Sequence, residues 1–384
     1  MSRYFIFFFV FFSQLIITSP YTLVGRSGHT ASYMDNKIYF LGGKTVKHLV
    51  GTNDFFYLDV SIPFDLDSTL PIFDLSNDAR YIDIHSHGIS TICGPNKDMI
   101  FLIFGISEES FTYNFIINDQ EWDLRSQEPN VRWSSVVCNK NGSYIYVYGS
   151  NDVNKYKMTI IDTTHGFTVS SDLNIPNSLA TAILLQDGRI AYIGKRIDDL
   201  WSTSGIEPSP RYFHTTVLTQ DGLIIIYGGV NNIGPVPDQI SVLDTKVDPF
   251  TWSIPNIDPA PSSAPTSGHT ATLVGNYMII AFGNYNHTPQ NIVYSDQIHM
   301  IDVSEKNNYK WVKSFTLNNT NIAYPTKSAI IGATKSPGAA HAAIIVGTTG
   351  GIATVIIIIS VSYLLYCRKR TVIYAPQAKH AINC

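Results

Sequence analysis

One hairpin, written three times, constrains this chain more than any other feature. Residues 27–43 read SGHTASYMDNKIYFLGG, residues 211–229 read RYFHTTVLTQDGLIIIYGG, and residues 267–283 read SGHTATLVGNYMIIAFG. Each opens near a His-Thr pair and turns at Asp35-Asn36, Asp221-Gly222 or Gly275-Asn276. Each then climbs an apolar run into glycine. Such turn pairs supply the positive φ that tight hairpins demand. The run after the turn, as in Leu223 to Tyr227, lacks polar alternation, which suits a strand buried on both faces. A single hairpin cannot cover that surface, so the copies must pack on one another as structural repeats.

Three weaker copies fill the interval. They are residues 85–106, turning at Pro95-Asn96, residues 131–149, turning at Asn141-Gly142, and residues 178–194, turning at Asp187-Gly188. His29 and His269 lie 240 residues apart, and over five intervals that is 48 residues per unit. This is the length of a four-stranded propeller blade. The reading is therefore all-β, a closed ring of six blades, because an open array would leave apolar blade faces uncovered. The fourth blade is expected to be short, since residues 195–205 are too few for two further strands. A richness in Tyr (22) and Phe (20), with only 15% charged residues, agrees with strands. A net charge of −4 gives no basic field for nucleic acid.

The two ends read differently. Residues 1–19 combine Arg3 with an apolar run broken at Ser13-Gln14, the pattern of a secretory signal peptide, with a retained signal anchor as the alternative. Cleavage is placed between Thr18 and Leu23. Residues 342–366 hold no charge over 25 positions. As a helix they would reach about 37 Å, more than the ~30 Å hydrocarbon core. Arg368, Lys369 and Arg370 follow at once, which places the C-terminus in the cytoplasm. A buried core helix and a lipid-anchor signal are the alternatives. The expected order is signal peptide (1–19), propeller ectodomain (21–316), stalk (317–341), a single transmembrane helix (342–366) and a cytoplasmic tail (367–384), the plan of a single-pass type I membrane protein. Sequons at Asn141, Asn286 and Asn318 are candidate glycosylation sites. Cys367, at the membrane boundary, is a lipidation candidate.

With these features in view, the chain resembles the kelch-repeat β-propellers, including the central domain of the galactose oxidase type. Blades of that family carry Gly-Gly after the second strand, then a Tyr, then a Trp. Gly42-Gly43 and Gly228-Gly229 match the pair in full, while Gly105, Gly149, Gly194 and Gly283 keep one glycine each. Tyr57 suits the third strand, and Trp122, Trp252 and Trp311 suit the fourth. Gly28, His29, His214 and His269 complete the repeat motif. The resemblance covers roughly residues 25–316 and implies a six-bladed kelch-type propeller.

It also raises one enzymatic possibility, a copper-dependent surface oxidase of the galactose oxidase kind. Such enzymes use a Cys-linked Tyr, a second Tyr and two His at one copper. His85, His87, Cys93 and Cys138 are the residues this chain offers. Against that reading, His29, His214 and His269 share one repeat position, and His85 and His87 open the second repeat, so all five read as structural. The extra C-terminal domain of such oxidases is absent from the sequence. Cys93 and Cys138 end the first strands of adjacent repeats, and the expectation is two buried free thiols, since a bridge needs Cα atoms within about 7 Å. No Gly-x-Ser-x-Gly and no phosphate loop occur. The preferred expectation is a non-enzymatic cell-surface module without cofactor or metal. It would bind an extracellular protein or glycan through the long polar loops at residues 44–53, 230–238 and 284–295.

Overall fold

A computed structural model describes residues 21–106, 109–129, 132–152, 155–165, 168–172, 180–194, 203–288, 291–317 and 373–374. The signal-peptide expectation, Asn318, the proposed span at 342–366 and Cys367 lie outside these residues. Every regular element described is a β-strand.

Each hairpin read from the sequence is present, and each is the inner half of a sheet. Thr30–Met34 pairs with Lys37–Leu41, Thr215–Leu218 with Leu223–Tyr227, and Thr270–Val274 with Tyr277–Ala281. Repeats one, two, three, five and six each add two more antiparallel strands outward, giving five four-stranded blades. The inner strands stand side by side in chain order, and the last lies against the first, so the ring is closed.

The expected count of six blades is thereby corrected to five. Among the described residues, the fourth repeat itself forms only the hairpin of Thr181–Leu184 and Ile190–Ile193. The chain that would widen it is used elsewhere, because Thr203–Gly205 pairs in parallel with Phe250–Ser253 on the outer edge of the fifth repeat. Beside Ile190–Ile193 lies instead the two-residue strand Ile373–Tyr374, also parallel. Residues 21–25 are irregular; pairing begins at Arg26–Ser27, against Lys44–Thr45.

The unalternating apolar runs do what their pattern requires. Successive residues of a strand point to opposite faces, and here both faces meet a neighbour. Ile38 and Phe40 pack with Phe282 and Met300 of repeat six, whereas Tyr39 and Leu41 pack with Leu102 and Phe115 of repeat two. In repeat five, Ile224 and Ile226 face the fourth repeat, and Ile225 and Tyr227 face the sixth. Burying one such side chain contributes about 1.5–3 kcal/mol.

Cys93 and Cys138 form a disulfide with Cα atoms 5.5 Å apart, which overturns the expectation of free thiols. The two inner strands end close together, and their turns interlock. Gly94 N donates to Gly142 O at 3.0 Å, and a Cβ on Gly142 would stand 1.9 Å from Gly94 O. The bridge links repeats two and three across 45 residues. A loop of that size gives about 4 kcal/mol in the chain-entropy account. Paired substitution of Cys93 and Cys138 by Ser is expected to lower the unfolding free energy by about 2–4 kcal/mol, measured by denaturant titration. Dithiothreitol should have a matching effect on the wild type and none on the variant.

Candidate functional site

Two faces of the ring differ in construction. The hairpin turns lie on one, here the turn face. Connections between second and third strands lie on the other, the loop face, together with the segments that enter each repeat. Isolated bridges tie these loops to the entry segments: Thr52 to His85, Val230 to Tyr212, and Ser267 to Asn284.

At the centre of the loop face, four entry residues adopt the left-handed conformation: Phe213 (φ 58), Gly268 (φ 63), Gly28 (φ 66) and His87 (φ 57). Their backbones link head to tail across repeats. Gly268 N donates to Phe213 O at 3.2 Å, Gly28 N to Gly268 O at 3.0 Å, and His87 N to Gly28 O at 2.6 Å. Gly28 is required on two counts, since a Cβ there would meet a positive φ and stand 3.1 Å from the His87 ring.

The repeat histidines lie beneath. Each shares a hydrogen bond with the preceding repeat through its Nε2: His269 with Thr215 Oγ1 (2.9 Å), His214 with Thr181 Oγ1 (3.1 Å), and His29 with Thr270 Oγ1 (2.9 Å). All three are at most 5% exposed. Burial in this apolar belt pushes His214 and His269 down to about 3, and His29 well below its usual value. His85 stacks on Phe104 and covers Gly42, and burial lowers it to about 4. His87, also lowered to about 4 by burial and then by Lys44, stands over Gly28 and faces Phe213. Each of these five residues contacts a neighbouring repeat.

Buried arginines missed in the sequence reading anchor the loops. Arg26 donates through Nη1 to Gly42 O (3.0 Å) and through Nη2 to Asp54 Oδ2 (2.9 Å). Arg211 repeats this with Gly228 O (3.0 Å) and the Asp238 carboxylate. In each case the guanidinium clamps the first glycine of the Gly-Gly pair to the aspartate that closes the loop. An Arg three residues before His29 and His214 was a signal available in the sequence. Gly42, Gly43, Gly228, Gly229 and Gly283 all have positive φ, a conformation open to glycine because it lacks a Cβ.

On these anchors the loops present apolar tips. In residues 44–53, Thr45 and His48 exchange backbone hydrogen bonds, and Val46, Leu49 and Val50 point outward. In residues 230–238, Asn231 Oδ1 accepts from the amides of Ile233 and Gly234, and Ile233 is 98% exposed. Within the third of these loops, Asn284–Thr288 pairs antiparallel with Asn291–Tyr294. The turn face contrasts with this. Its exposed tips are polar (Asp35, Asn96, Asn141, Asp187, Asp221 and Asn276), with Ile62 and Val247 as exposed aliphatics in nearby connections.

Asn141 is exposed at its turn, and Asn286 falls within Asn284–Thr288. Cys93 and Cys138, bonded to each other, are not available for a thioether to tyrosine. Among the described residues, no group of three or more His, Cys, Asp or Glu is arranged to hold a metal ion.

No family model matches the chain, and no curated protein matches it. Among solved structures, one titled "Structure of YjhT" aligns at 12% identity over 76% of this chain and 84% of that one, with a TM-score of 0.38.

The buried histidines set a pH limit. An unfolded histidine titrates near ~6.5, above these folded values, so the unfolded chain binds protons first as pH falls. The stability supplied by the neutral rings is complete above that value and is lost on descent toward the folded values of about 4 and 3. Each ring costs about 1.4 kcal/mol per pH unit within that window. Thermal unfolding is expected to be level from pH 7 to 8 and to drop steeply below pH ~6; replacing His269 by Gln should flatten the drop.

Proposed function

We propose that this chain is a kelch-type, membrane-anchored recognition module that binds an extracellular protein or glycan through the loop face, without catalysis. The observation that carries the reading is the contrast between faces: anchored loops of repeats one and five end in exposed Val46, Leu49, Val50 and Ile233, while the hairpin tips opposite are polar. Solvent-facing aliphatic tips on a fixed scaffold suit a contact surface. The Gly-Gly pairs at Gly42-Gly43 and Gly228-Gly229 support the kelch assignment. The Cys93–Cys138 bridge supports passage through an oxidising compartment, in keeping with residues 1–19 as a signal peptide. A sequon at Asn286 counts against the repeat-six part of the loop face as contact surface. The oxidase alternative loses its thioether cysteine to the disulfide and is not favoured.

The test is binding of the secreted propeller to intact cells by flow cytometry. Replacing Val46, Leu49, Val50 and Ile233 together by Ser should reduce binding at least tenfold, about 1.4 kcal/mol, with unfolding unchanged. Undiminished binding would remove the loop face from the proposal.

Topology is tested separately. The pairing of Ile373–Tyr374 beside the fourth repeat and a span at 342–366 exclude one another in a single chain, because they place the tail on opposite sides of the bilayer. With a span, Cys384 in intact cells is shielded from a membrane-impermeant maleimide and reacts after permeabilisation. Labelling before permeabilisation would favour the pairing.

A further inference from the structure

The point where the chain leaves the ring carries an orientation. After the outermost strand of repeat six, Ser314–Phe315 turns back to pair with Phe64–Asp65 of repeat one. Phe315 is fully buried, stacked on Phe64 (ring centroids 4.9 Å) and set against Tyr277 (5.1 Å). The Thr316 and Tyr277 hydroxyls are 3.4 Å apart. Tyr277 directly follows the Gly275-Asn276 turn, and Phe64 packs in one cluster with Val60, whose amide donates to Asn36 O in the repeat-one turn at 2.8 Å. The exit is thus built into the turn face. Strands of about five residues, roughly 17 Å, separate it from the loop face.

We infer that the loop face is held away from the bilayer that anchors the chain and is presented to a protein displayed on a facing surface, not to a lateral neighbour in the same membrane. This rests on the proposed span at 342–366. The turn face is unsuited to such a contact, since its tips are polar and Asn141, with its sequon, stands exposed on it. The loop face also indicates the partner's chemistry. Around Val46, Leu49 and Val50 the loop carries Lys44, Lys47 and His48 and no acidic residue between positions 44 and 53. An apolar patch rimmed by carboxylates complements it, the aliphatic contacts supplying affinity and the charges register.

The experiment uses the full chain in intact cells, with an enzymatically biotinylated acceptor peptide inserted at Asn232 on the loop face or at Asn276 on the turn face. Both residues are exposed. Soluble streptavidin reports surface display and accessible biotin for each insertion. Streptavidin-coated beads of micrometre size stand in for a facing surface. At equal soluble-streptavidin signal, the Asn232 insertion is expected to capture at least tenfold more beads than the Asn276 insertion. Equal capture, preferential capture at Asn276, or capture at neither overturns the orientation. If instead the biotinylated chain is released into the medium rather than retained on cells, the anchoring itself has failed. That result is read from the soluble fraction, independently of the beads.

Discussion

The meeting of repeat six with repeat one is the contact on which everything else depends. Among the described residues, each of the five complete blades is assembled from a contiguous stretch of chain, and no N-terminal strand completes the last blade. Closure falls to the seam. His29 reaches Thr270, Gly28 N bonds Gly268 O, Gly283 N bonds Arg26 O at 2.8 Å, and Phe40, Phe56 and Phe282 interlock behind them. Each hydrogen bond is worth about 1 kcal/mol net, and each buried ring about 1.5–3 kcal/mol. The aromatic cluster therefore supplies most of the closing energy. The polar contacts set the register, since a slip of one residue would turn each strand's apolar set to the wrong neighbour.

The same inner belt fixes the outer surface. Because the buried arginines grip both the Gly-Gly carbonyl and the loop aspartate, the loops of repeats one and five start from immobile ends. Their tips close on themselves through Thr45 with His48 and through Asn231. Backbone polar groups near the exposed Val and Ile side chains are thus satisfied locally, and the aliphatic tips stand free for an outside contact. The histidines, conspicuous in the sequence, serve the interior, and burial holds their rings below the usual histidine pKa.

Much of the architecture was legible in the sequence because it is local. A hairpin needs only a turn pair and two strands, all within about 20 residues, and the absence of alternation after each turn announced burial on both faces. The residues misread are those whose role needs a neighbour from another repeat. Cys93 and Cys138 looked too far apart as equivalent points on adjacent blades, yet the innermost strands converge at the turn face and bring their Cα atoms to 5.5 Å. His87 and Phe213 take the left-handed position that glycine fills at 28 and 268, so a glycine pattern alone could not reveal them. Arg26 and Arg211 were passed over because charged side chains are seldom fully buried. Their partners lie 28 and 27 residues away, beyond the reach of a local pattern.

The sequence by itself determined the unit: six hairpins, their turns, their doubly buried second strands and the glycines that follow. Tertiary structure decided how units join. It chose the outer edge of the fifth repeat for Thr203–Gly205, leaving five complete blades, and it made a disulfide of two cysteines. It also set His29 against Thr270, 241 positions distant, and brought the chain out on the turn face. The reason is physical. Hairpin geometry is written in backbone preferences of successive residues, whereas the contacts that close a ring exist only once every preceding blade has taken its place.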